Sequence, residues 1–290
     1  MTHEERIISC KACEHKRVDY ERGIVCELTD EVPSFEGICP NFSAFKTSST
    51  AYSSSINFKQ TAELKPNNKR AANVIYALYA NLIVALVALV SLLNENYVLK
   101  EYLSGTDIAE DRFDLTDLLS ITAGLLSAAT FIITAVLFIQ WFRRAYYNLH
   151  LKVNHCKYPE NQAAWAWFIP IINLFRPNEI MREMLQSTSE ILDTEKKYVD
   201  QTKTIIIFWW IAWVLNNISS QIVWRIYKVP ETPELIIESN NADLSILPFE
   251  VIAAILAIVV VKRYSKLEDQ LLLRDNAKGE LDQIGLNTLD

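Results

Sequence analysis

The feature that most constrains this chain is the gathering of its apolar residues into four long blocks. A helix crossing the hydrocarbon of a bilayer needs ~20 mostly apolar residues. Four stretches approach that length: Asn73 to Leu93, about Leu118 to Trp141, about Thr204 to Tyr227, and about Ile246 to Val261. The first has no charge and carries apolar residues on every helical face, unlike the amphipathic helices of soluble cores. Thr122, Ser127, Thr130 and Thr134 dot the second, where hydroxyls can bond back to their own helix. The fourth is the shortest, with Pro248 expected near its start, where a missing N–H costs little. The expected fold class is an all-α polytopic membrane protein: a four-transmembrane-helix bundle with a small N-terminal cysteine-rich metal module.

Charge between the blocks sets the expected orientation, because Lys and Arg accumulate on the cytoplasmic side. Lys59, Lys65, Lys69 and Arg70 precede the first block. Arg143, Arg144, Lys152, Lys157, Arg176, Arg182, Lys196, Lys197 and Lys203 fill segment 142–203, and Lys262, Arg263 and Lys266 follow the last block. Segments 94–117 and 228–245 are acidic and poor in Lys and Arg. Both termini and the middle segment are therefore expected in the cytoplasm, and the two acidic connections outside. Residues 1–45 contain no apolar run of a secretory signal. The net charge is −7 with no continuous basic stripe, so no nucleic-acid partner is expected. The expected organisation is a cysteine-rich module over 1–45, a Ser/Thr-rich flexible linker over 46–72, a membrane domain over 73–263 and a cytoplasmic tail over 264–290, too short for a convincing coiled coil.

Cys10, Cys13, Cys26 and Cys39 form a C-x2-C-x12-C-x12-C pattern. On the cytoplasmic side thiols stay reduced, which disfavours a disulfide framework. A Cys-x-x-Cys pair can present two thiolates to one metal from a tight turn, and two more complete a tetrahedral site. A segment of this length buries too little core to fold alone, and a metal supplies the missing cross-link. Structural zinc is the expected cofactor. An iron–sulfur cluster has the same ligand set and is the lesser alternative. His15 is a rival ligand but stands too near Cys13. Cys156 reads as a plain buried or interfacial residue.

The most distinctive stretch follows the second block. It reads Gln-Trp-Phe-Arg-Arg-Ala-Tyr-Tyr-Asn-Leu over 140–149, then Trp-Ala-Trp-Phe-Ile-Pro-Ile-Ile-Asn-Leu-Phe-Arg-Pro over 165–177, then Glu-Ile-Met-Arg-Glu over 179–183. Trp141 and Phe142 are expected where the second span leaves the hydrocarbon, with Arg143 and Arg144 at headgroup level, able to reach lipid phosphates. Residues 163–175 are apolar but too short to span, and Pro170 breaks any helix through them, freeing the carbonyl of Ala166. They are expected to lie in the interface or to dip in as a re-entrant turn, with Asn173 bonding the freed backbone. Arg176-Pro177-Asn178-Glu179 reads as a helix start. The helix it opens, to about Lys203, should lie on the membrane or pack under the bundle on Ile180, Met181, Met184, Leu185, Ile191 and Leu192.

These stretches resemble the DUF4328 family of bacterial membrane proteins, whose hallmark is W-F-x-R-A-x-x-N-L followed by W-F-I-P-x-x-N-L-x-x-P. The resemblance covers roughly residues 74–262 and leaves the cysteine module outside. It implies a multi-pass architecture in the bacterial cytoplasmic (inner) membrane, and no activity.

Asn217 and Gln221 share one face of the third span, a usual helix-packing arrangement, and Glu250 is expected near the outer end of the fourth. No nucleophile–base motif, phosphate-binding glycine loop or metalloprotease signature is present, which leaves an enzyme as the least supported class. The favoured function is a non-enzymatic anchoring, sensing or scaffolding module. It would contact the lipid bilayer or a partner through Arg143, Arg144, Asn148, Trp167, Pro170, Asn173, Arg176 and Pro177, and a cytoplasmic protein through the metal module. The alternative is a small solute or ion transporter or channel, with Asn217, Gln221 and Glu250 along a polar route.

Overall fold

The computed structural model describes residues 6, 10, 13, 15–19, 23–35, 39–43, 63–153, 155–228 and 232–287. The expected linker lies outside the described residues as far as residue 62, as do Gly37 and the last three residues. The chain divides into two compact units, Met1–Thr61 and Ala62–Asp290.

The first unit holds an antiparallel hairpin of β1 (Lys16–Asp19) and β2 (Gly23–Cys26), with Lys16 opposite Cys26 and Asp19 opposite Gly23. Val25 is its buried apolar residue at 1% exposure. Beyond β2 the chain turns sharply, with the Asp30 amide donating to the Cys26 carbonyl at 2.8 Å. Asp30 takes a φ of 55°, a left-handed conformation that Asp tolerates better than most residues.

The second unit is helical: α1 (Asn68–Leu103), α2 (Glu110–Lys152), the single turns α3 (Gln162–Trp165) and α4 (Pro170–Asn173), α5 (Arg176–Leu192), α6 (Lys196–Ile226) and α7 (Pro233–Asn287). Among the described residues, α1, α2, α6 and α7 are long and apolar enough to cross a membrane. Each contains one of the four apolar blocks. Their outward faces carry exposed Ile83, Leu86, Val90, Leu118, Ile121, Leu125, Ile132, Ile211 and Ile255, as lipid-facing helices require.

All four helices outrun their blocks. α1 continues ten residues past Leu93, and α7 begins at Pro233, well before Ile246. The acidic segments 94–117 and 228–245 are thus largely helical extensions. A polar cluster joins α1 to α7 there. Asn240 donates to Glu95 Oε2 at 3.0 Å and to Asn96 Oδ1 at 3.2 Å, and Asn96 donates to Asn241 at 3.1 Å. Pro248 consequently lies inside α7 rather than in a first turn, and Pro233 takes the first-turn place instead.

The core sits at the opposite, basic end. α5 tucks beneath the bundle and buries Ile180, Met181, Met184 and Leu185 to 1% exposure or less. It starts at Arg176 as expected but stops at Leu192, short of Lys203. Asp193 caps it in a left-handed conformation (φ 53°), and the Thr194 amide closes on the Ser189 carbonyl at 2.9 Å. Residues 264–287 do not separate as a tail. α7 runs on through them, burying Tyr264, Leu267 and Leu271, while Lys152 of α2 pairs with Asp275.

Candidate functional site

The stretch after the second block follows helical period. Trp141, Phe142, Ala145, Tyr146, Asn148 and Leu149 occupy one face of α2 and are all at most 2% exposed. Trp141 and Phe142 therefore belong to the core, not to a lipid-facing aromatic belt. The Trp141 indole donates to Ser265 Oγ of α7 at 3.2 Å. Tyr147, Arg143 and Arg144 lie on the other side of the helix.

That other side forms a cleft of about 370 Å³ lined by Lys65, Arg70, Gln140, Arg143, Arg144, Tyr147 and Glu160. Lys65 Nζ stands 4.8 Å from the Tyr147 ring centroid and the Arg144 guanidinium 5.8 Å from it. Among the described residues, the only carboxylate lining the cleft, Glu160, faces Arg143 at 3.5 Å. Three of the four cations come from the ends of α1 and α2, Arg70 just before the first apolar turn of α1 and Arg143 and Arg144 just after the last of α2. Lys65 comes from the segment before α1, and a side chain on α2 fixes its place. Asn148 accepts from the Lys65 amide at 3.1 Å and donates to the Lys65 carbonyl at 2.8 Å, as a neighbouring β-strand would.

Asn148 also donates to Glu268 Oε1 of α7 at 2.7 Å, and Asn67 donates to Glu268 Oε2 at 2.9 Å. Asn67 reaches the Trp141 carbonyl at 3.2 Å as well. Glu268 lies about 10 Å along the axis beyond Val261, past the apolar block. It is 5% exposed, and burial pushes its carboxyl up to about 7 against the two amide donors that favour the ion. Asn67 and Glu268 carry no recognisable signal in the sequence. Lys65 and Arg70 are visible there only as topology charges.

The remaining expected contact residues scatter. Asn148 makes three hydrogen bonds and is 2% exposed, and Pro177 is buried in the first turn of α5. Arg176 stacks on Tyr158 at 3.9 Å and faces Glu179 at 3.8 Å. The Tyr158 hydroxyl donates to Glu179, which holds that carboxyl below its usual range, with Lys157 contributing next. Pro170 is exposed and opens α4, after an extended Ile169. Asn173 does not repair the backbone. Its Oδ1 is buried without a hydrogen bond among the described residues, and its backbone N–H donates to the Ile169 carbonyl at 2.7 Å. Segment 163–175 anchors itself through Trp167 and presents Trp165, Phe168, Ile171 and Phe175 outward at 61%, 67%, 75% and 62% exposure.

Trp167 belongs to an aromatic cluster between the spans. Its ring lies 5.5 Å from Phe138, 6.0 Å from Trp210 and 5.7 Å from Trp213, and Trp210 stacks on Trp213 at 4.8 Å. The Trp210 indole donates to the Leu174 carbonyl at 2.9 Å, tying the short segment to α6. Beside this cluster is a second cavity, of about 170 Å³, lined by all four long helices. Asn217, which is half-buried, and Glu250, which is exposed, both line it, and Gln221, also exposed, does not. Glu250 lies inside the continuous α7, twelve residues and ~18 Å along the axis from Lys262.

In the first unit, Cys10, Cys13, Cys26 and Cys39 line one pocket together with His15, and none is in a disulfide. Burial and then the nearness of Cys39, Cys13 and Cys26 raise the Cys10 thiol. Among the described residues, no three ligand side chains stand in a geometry that could hold a metal ion.

A model for a domain of unknown function (DUF4328) matches residues 104–266. The match includes both distinctive stretches, α5 and α6. It starts beyond α1, later than the resemblance alone implies, and leaves out the cysteine-rich unit. No curated protein and no solved structure matches the chain significantly. With more than half of its length inside the match, and with four helices able to cross a membrane, the chain belongs to the DUF4328 family of integral membrane proteins.

Proposed function

We propose that this protein is a non-enzymatic module of the bacterial cytoplasmic membrane, with both termini in the cytoplasm, that holds an anionic phospholipid headgroup at its basic end. The cleft of Lys65, Arg70, Arg143 and Arg144 carries this reading. Four cations converge on it with one carboxylate, and their helices enter the apolar layer directly beside them. Basic pockets between membrane helices suit anionic headgroups, each cation near the surface contributing about 1 kcal/mol. The Asn148 clamp supports the same reading, because it fixes the Lys65 backbone without consuming its ammonium.

Native mass spectrometry of the detergent-purified protein tests this. Phosphatidylglycerol is expected to remain bound where phosphatidylcholine dissociates. The double variant Arg143→Ala, Arg144→Ala should weaken retention about tenfold or more, as the loss of about 2 kcal/mol requires. Displacement of the lipid by inorganic phosphate alone would identify a free-phosphate site instead. Equal retention of both lipids refutes the proposal.

We further propose that the first unit is a zinc module serving as a contact surface for a cytoplasmic protein. Four thiols around one pocket support that reading, since four thiolates complete a tetrahedral zinc site. The purified full chain should carry about one zinc per molecule. Visible absorbance with iron and sulfide in protein prepared without air would replace zinc with a cluster.

A further inference from the structure

The 170 Å³ cavity between the long helices has a composition that the headgroup proposal does not use. One wall is aromatic, with Trp167, Trp209, Trp213 and Phe138. Its amides are largely committed. Asn81 donates to Thr134 Oγ1 at 3.0 Å, and Asn217 donates to the Trp213 carbonyl at 2.8 Å. Glu250 is different. It makes no hydrogen bond or ion pair among the described residues, and no lysine, arginine or histidine lines the cavity.

A carboxylate within an apolar helix long enough to span a membrane is costly unless a counter-charge meets it. No described side chain supplies one here. Indole and phenyl faces attract cations through their quadrupoles, most strongly when water is excluded. Aromatic walls and a lone acid therefore select for the same charge. The size also selects. An apolar cavity of about 150 Å³ admits a single benzene-sized ring, so the space suits a monocyclic body. A hydrated inorganic ion would shed water onto indoles that cannot replace it, whereas an organic ammonium carries its own apolar shell.

We propose that this cavity binds a small lipophilic organic cation, an ammonium joined to a single ring or short hydrocarbon body, with Glu250 as counter-ion and Trp167, Trp209 and Trp213 as its aromatic wall. The site is separate from the basic cleft and stands or falls without it.

The test titrates the full-length protein in detergent, at fixed ionic strength, with benzyltrimethylammonium and follows tryptophan emission. Toluenesulfonate, of similar size and opposite charge, is the control. A saturable response to the cation alone is expected. Glu250→Gln should weaken it at least tenfold, Glu250→Asp should stay within threefold of the parent, and Arg143→Ala with Arg144→Ala should leave it unchanged. Absence of saturation up to about 10 mM, a Kd already too weak for a built site, overturns the proposal. So does an equal response to the anion, or unchanged affinity in Glu250→Gln. Should Glu250→Gln fail to fold, the comparison of cation and anion on the parent protein and Glu250→Asp decides the matter.

Discussion

Replacing Asn148 with alanine should destabilise the membrane unit far more than an ordinary polar-to-alanine change. Asn148 makes two neutral hydrogen bonds to the Lys65 backbone and one to the Glu268 carboxylate. Neutral bonds contribute about 1 kcal/mol each and bonds to an ionised group about 1.5–3 kcal/mol, and the orphaned partners stay buried, so the total loss is about 4 kcal/mol. For a unit of this size 1 kcal/mol corresponds to ~2–4 °C, so thermal unfolding followed by tryptophan emission in detergent should drop by about 10 °C. The loss should depend on pH. Glu268 has its folded value raised to about 7 from an ordinary 4.5, so the folded state holds the extra proton between those values. The contribution of Glu268 is then fully present below about 4.5 and is lost, by about 3 kcal/mol, as pH rises from there through 7. Removing the Asn148 donor leaves the ion worse solvated, so the deficit of Asn148→Ala should be larger at pH 8 than at pH 5. Glu179, whose value is lowered, is ionised throughout that window and adds no slope there. A fall of less than about 2 °C, or a deficit independent of pH, refutes the clamp as a source of stability.

Three further outcomes are expected. Met184→Ala, at a fully buried position on α5, should cost about 3 kcal/mol in denaturant titration, which a helix merely resting on the membrane surface would not lose. A spin label at Ile171, 75% exposed and flanked by Phe168 and Phe175, should be more accessible to oxygen than to a water-soluble nickel chelate in liposomes; the reverse order would take this segment out of the membrane interface. Reporters placed at the Gly105 turn and after Asp290 should appear on opposite sides of the membrane, outside and inside respectively. Asn240 is a poor insertion point, because its amide is buried against Glu95 and Asn96.

Much of the architecture was legible in the amino-acid order because it depends on local periodicity. Uninterrupted apolar runs produce the four long helices, since only a helix satisfies its own backbone in hydrocarbon. The spacing of Ile180, Met181, Met184 and Leu185 marks the buried face of α5, and Pro177 with Glu179 marks its start. The extent of the helices was not legible, because acidic residues beyond an apolar block read equally well as loop or as exposed helix. That ambiguity put Pro248 in a first turn, whereas the continuous α7 carries it, with Glu250, inside the helix.

The sequence by itself determined the number and apolar character of the helices, because each is fixed by residues three and four apart. Only the tertiary structure decided which polar groups meet. Asn67, Asn148 and Glu268 converge from three parts of the chain, as do Lys65 with Arg144 and Glu250 with Trp167. Those meetings depend on how each helix is rotated about its axis and how far it slides past its neighbours. No local pattern encodes these quantities, which the packing of the whole bundle settles at once.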